Sequence, residues 1–155
     1  MQQVLPNTED IYEMLNLFFG DDMSAEYRDE PVDVADKYAA IYVDSEGEPG
    51  AICYVDAAFA AYAGGAMTMM PPGPVQEAAA NNDLSQMMTE NLYEVMNIWT
   101  RLVINDETRH LKLTEVKKTE EIKEIVDALL ATGNRGDYNI SIPKYGVGTM
   151  SFLVS

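Results

Sequence analysis

Two short segments of the chain carry the same polar side chains at the same spacing. Residues 8–17 read TEDIYEMLNL and residues 89–98 read TENLYEVMNI. Thr8/Thr89, Glu9/Glu90, Tyr12/Tyr93, Glu13/Glu94 and Asn16/Asn97 are identical, and the other positions exchange like for like, as Asp10/Asn91 and Ile11/Leu92 do. The pairing Glu-x-x-Asn sets a fixed anion one helical turn from a neutral amide that both donates and accepts hydrogen bonds. A carboxylate so placed can grip a cation on a partner, and the amide can hold a water in line for attack.

The elements that must present these groups are helices. At about 100° per residue, Asn16 and Glu9 fall within about 60° of Glu13, whereas Ile11, Met14, Leu15 and Phe18 fall on the opposite side. Glu90, Glu94 and Asn97 form the matching stripe of the second segment, and Tyr12 and Tyr93 flank the two stripes. A solvated helix face is the plainer account. Against it stands Asn in mid-helix, twice, where its amide competes with the backbone and propensity does not favour it.

Asn7 as a cap, Glu9 and Asp10 in the first turn, and Gly20 as a stop predict a helix over 8–19. An edge strand is expected somewhere in 26–34. Residues 38–44 and 51–56, joined by Ser45-Glu46-Gly47-Glu48-Pro49-Gly50, read as a β-hairpin. Residues 57–70 read as a short helix weakened by Gly64-Gly65 and stopped by Pro71-Pro72. A long helix is expected over 83–104, with Met88, Leu92, Val95, Trp99 and Leu102 on its apolar stripe. A strand over 110–116, a helix over 120–130 ended by Gly133, and a second hairpin of 138–142 and 147–154 complete the chain. Each repeated helix is thus followed by a hairpin. The fold class is α+β, a pseudo-twofold duplicated unit whose antiparallel sheet carries two long equivalent helices. It forms one domain, with half one about 7–70, a linker about 71–82 and half two about 83–155.

Composition narrows the chemistry. In 155 residues, 26 acids against 10 Lys and Arg give a net charge of −16. The first 100 residues hold 18 acids and two bases, Arg28 and Lys37. Such a surface repels phosphate backbones and anionic lipid, so neither nucleic acid nor membrane is an expected partner, and a basic protein face is. One cysteine, Cys53, and one histidine, His110, argue against a disulfide framework, a zinc site and a Ser/His/Asp triad. No cofactor or metal of its own is expected. Without a charged-then-apolar leader or an apolar stretch of membrane length, the chain is expected to be cytoplasmic.

Glu-x-x-Asn on two equivalent helices, about half the chain apart, resembles the CheC/CheX/FliY group of chemotaxis phosphatases, and the two copies look most like CheC. The resemblance implies a pseudo-symmetric α+β fold and hydrolysis of the aspartyl phosphate of a CheY-type response regulator. It further implies that Glu13 and Glu94 pair with a lysine of the regulator and that Asn16 and Asn97 orient the water. The regulator would supply the magnesium and the acyl phosphate. The family pattern carries Asp or Ser four residues before the Glu; Glu9 and Glu90 stand there in this chain. The alternative is a non-catalytic CheC-like adaptor that docks a receiver domain or another chemotaxis partner. A third reading is an acidic assembly subunit whose helix faces are merely wet. Met67, Met69, Met70, Met87 and Met88 are read as gap-fillers, Cys53 as buried and inert, His110 as a surface residue, and Arg135-Gly136-Asp137 as a turn before a strand.

Overall fold

The computed structural model describes residues 3–20 and 22–155. Helix α1 spans Thr8–Phe19: the Asn7 side chain accepts from the Asp10 amide at 2.7 Å, and the helix closes on Gly20 in a left-handed conformation. Edge strand β1 (Ser24–Tyr27) follows, shorter and earlier than expected. The first hairpin is β2 (Tyr38–Val43) with β3 (Pro49–Val55). Helix α2 (Ala57–Met67) begins at Asp56, whose side chain accepts from the Phe59 amide. The expected linker over 71–82 is instead helix α3 (Pro72–Asn81), because Pro72 and Pro74 both fall in its first turn, where a missing N–H costs nothing. Helix α4 (Gln86–Ile98) starts on the Ser85 cap and tightens into a 3-10 turn over Trp99–Leu102, so the long helix is shorter at both ends than its apolar stripe suggested. Strand β4 (Lys112–Lys118), helix α5 (Lys123–Leu130, preceded by a 3-10 turn) and the second hairpin, β5 (Arg135–Ile142) with β6 (Gly146–Val154), finish the chain.

Among the described residues the strands form one six-stranded antiparallel sheet in the order β1-β5-β6-β3-β2-β4. Exchanging β1 with β4, β2 with β5 and β3 with β6 returns the same order reversed. That is the pseudo-twofold, with its axis between β3 and β6. Each outer strand crosses over: β1 pairs with β5, and β4 with β2.

Strands β2 and β3 are almost wholly apolar because both of their faces are covered. Ala40, Tyr42, Cys53 and Val55 point to the larger core with Ile11, Leu15, Leu92, Val95 and Trp99. The alternate residues Ala39, Ile41, Ile52 and Tyr54 meet Ile122, Val126 and Leu129 on the other face. Helix α2 lies on β6 and against α4. Its glycines are seams rather than weak points: a Cβ at Gly64 would stand 2.7 Å from the Met88 carbonyl oxygen, and one at Gly65 would meet Val75 at 2.5 Å. Arg135-Gly136-Asp137 opens β5 instead of forming a turn. Its ion pair, at 2.7 Å, belongs to a mostly buried network with Ser151, Tyr54 and the Val32 backbone.

Candidate functional site

The two repeated helices are held from below by equivalent apolar residues. Ile11 and Leu15 bury the underside of α1, and Leu92, Val95 and Met96 that of α4, all at 0% exposure. Their polar stripes face away from this core. Glu9 and Glu13 on α1, and Glu90, Glu94 and Asn97 on α4, are exposed. Tyr12 and Tyr93 are exposed to 37% and 39%, so the two copies present their phenols alike. The pairs remain on separate helices. Helix α1 abuts α2 and the 3-10 turn that continues α4, while α2 packs along α4 itself.

The copies differ in detail. Helix α4 is tied down by two long-range hydrogen bonds: the buried Tyr42 hydroxyl donates to the Met96 carbonyl at 2.6 Å, and the Asn91 amide donates to the Gly64 carbonyl at 2.8 Å. The position of Asn91 is Asp10 in α1, a carboxylate that cannot donate such a bond, and it lies exposed. Glu90 accepts from Gln86 one turn earlier at 3.1 Å. Glu13 lines a groove of about 420 Å³ with Asp10, Met14 and Leu17 of its own helix and Arg101 and Ile104 from beyond α4. Asn16 departs from the expected outward presentation. It is only half exposed, and its amide oxygen is buried with no hydrogen-bond partner.

Reading the sequence missed the Glu13 groove and Arg101. Arg101 follows Glu94 by seven residues, two helical turns, so it extends the α4 stripe, and that spacing was the available signal. The position equivalent to Arg101 in the first copy is Gly20, where α1 ends. Leu17 at 78% exposure, Leu5 at 38% and Met87 at 52% add apolar surface beside the carboxylates. Among the described residues, no group of three or more His, Cys, Asp or Glu is arranged to hold a metal, and no helix is long and apolar enough to cross a membrane. Cys53 is fully buried, and that burial pushes its thiol well above the ordinary range. His110 is exposed.

The fold and these stripes define a pseudo-twofold α+β protein that offers two acidic, partly apolar helix faces. No protein-family model matches the chain, and no curated protein matches it. Two solved structures are similar to it. FliY of Thermotoga maritima aligns over 93% of this chain and 81% of its own, at 11% identity and a TM-score of 0.46. The CheX-CheY-BeF3-Mg+2 complex from Borrelia burgdorferi aligns over 92% of this chain and 90% of the matched chain, at 11% identity and a TM-score of 0.39.

Proposed function

We propose that the chain is a CheC-like phosphatase that hydrolyses the aspartyl phosphate of a CheY-type response regulator. The observation that carries this reading is the duplicated Glu-x-x-Asn stripe, borne by two helices that stand at equivalent places in the pseudo-twofold chain order and with all four stripe glutamates exposed. Glu13 and Glu94 each grip a lysine on the regulator, with Glu9 and Glu90 adding negative charge one turn earlier and Tyr12 and Tyr93 at the rim. Asn16 and Asn97 stand at the water-orienting position of the two copies. The water oxygen attacks phosphorus and the bond from phosphorus to the aspartyl oxygen breaks. Inorganic phosphate and the free carboxylate result, and the water's protons pass to phosphate and solvent. Phosphoryl transfer asks chiefly for positioning and charge neutralisation, so a chain with an inert cysteine and a surface histidine can still perform it. The magnesium and the acyl phosphate belong to the regulator.

The test is phosphate release from a CheY-type receiver charged with acetyl phosphate, with and without the protein. Faster release is expected, and Asn16→Ala combined with Asn97→Ala should remove it by roughly 100-fold or more while binding persists. Binding without faster release would replace this reading with that of an adaptor. Neither binding nor release with any receiver of the source organism would end both.

A further inference from the structure

The two stripes share a sequence but not a presentation, and the difference falls on the atom that matters for hydrolysis. We infer that the stripes have divided the work: Glu94/Asn97 on α4 is the hydrolytic site, and the α1 stripe docks a receiver without contributing to hydrolysis. This rests on the phosphatase reading above.

An amide activates a water only by accepting its proton through the carbonyl oxygen, which leaves the water's lone pair free to attack. An amide that offers only its NH2 donates to that same lone pair and blunts it. The side-chain oxygen of Asn16 is buried and unpartnered, so the outward part of this amide is the wrong end. Turning the amide over exposes the acceptor but buries an NH2 with two donors in place of one orphaned oxygen, which is no better satisfied. Asn97 is exposed, and its side-chain amide makes no hydrogen bond among the described residues, so both ends are available to a water and a phosphoryl oxygen.

The carboxylates differ in the same direction. Glu13 lines a groove that Arg101 also lines, so its surroundings include a cation of the protein's own. Glu94 is exposed on α4. Helix α4 is anchored through Tyr42 to Met96 and Asn91 to Gly64, and in-line attack tolerates little wandering of the group that holds the water.

The experiment compares the intact protein with Asn97→Ala, which leaves Asn16 in place. Phosphate release from the acetyl-phosphate-charged receiver is measured across receiver concentrations, and binding is measured with the receiver held in its beryllofluoride form. One working site predicts that Asn97→Ala keeps less than about one-tenth of the added rate, through kcat with KM unchanged, and still binds. Half or more of the rate remaining would overturn the inference while leaving the phosphatase reading intact. No acceleration by the intact protein would overturn that reading itself, and the division of work with it. A thermal melt of Asn97→Ala coincident with that of the intact protein confirms that lost rate is not lost fold.

Discussion

Replacing Gly64 by alanine tests how the α4 platform is seated. A Cβ built there would lie 2.7 Å from the Met88 carbonyl oxygen, 2.9 Å from its Cα and 3.1 Å from its Cβ, where 3.4 Å begins ordinary contact. Two of those atoms are backbone and cannot swing aside, so α2 and α4 must part by roughly half an ångström in a close-packed interior. Overpacking of this kind costs about 1–3 kcal/mol. The gain from alanine over glycine within a helix is about 0.5–1 kcal/mol. The net loss is about 1–2 kcal/mol, or a melting temperature lower by about 3–6 °C for a domain of this size. Gly73, in the first turn of α3, supplies the control. A Cβ there meets nothing within 4 Å apart from its chain neighbours, and the crowding that Pro74 imposes on a helical residue before it offsets a propensity gain of about 0.5 kcal/mol, so Gly73→Ala should leave the melting temperature within about 2 °C. Thermal and urea unfolding followed by circular dichroism reads both, with unchanged m-values showing that the two variants unfold over the same surface. If Gly64→Ala melts as high as Gly73→Ala, α2 and α4 are not in backbone contact at this point, and the account of the glycine pair as a seam is wrong.

Two further perturbations test the supports beneath the site. Burial works to raise the Asp137 carboxyl, but the Arg135 guanidinium, the Ser151 hydroxyl and the Val32 amide prevail and hold it below the usual carboxylate value. Its contribution is therefore complete above about pH 4 and is lost as pH falls through the lowered folded value. Acid titration of stability should show a steeper fall below pH ~4 in the intact protein than in Asp137→Ala, which should already be less stable by about 3 kcal/mol at neutral pH; equal slopes would remove Asp137 from the acid transition. Tyr42→Phe leaves the buried Met96 carbonyl without its long-range donor and should cost about 1–2 kcal/mol in urea unfolding; a neutral result would mean that this bond does not pin α4.

What was legible in the chain follows from the range of the interactions involved. Helix α1 could be read to the residue because its cap, its acidic first turn and its terminal glycine are all local. The repeat and the two hairpins gave the duplicated α+β plan for the same reason: turn chemistry and periodicity live within a few residues. Helix α3 was passed over because Pro72-Gly73-Pro74 carries residues that break a helix interior, although a proline at the first helical position favours one. The glycine pair in α2 looked like weakness because the neighbours that require it, Met88 and Val75, belong to other helices. The network of Tyr54, Arg135, Asp137 and Ser151 joins β3 to the second hairpin, and no local signal marks it. For the stripes, the helical wheel gave the direction of every carboxylate, but it is blind to what neighbouring elements lay over a side chain. Asn16 and Asn97 occupy the same place on the wheel and differ in the tertiary surroundings of one oxygen.

The crossed outer strands also set a timetable for folding. β1 ends at Tyr27, yet its hydrogen-bonding neighbour β5 begins at Arg135, so an emerging polypeptide carries β1 unmatched until β5 has been synthesised. β3 likewise waits for β6. Such distant pairing makes for slow closure and a prolonged period in which apolar strands stand open to wrong company. The dense negative charge of the first 100 residues then gains a second use, keeping nascent chains apart until the last hairpin arrives to complete the sheet.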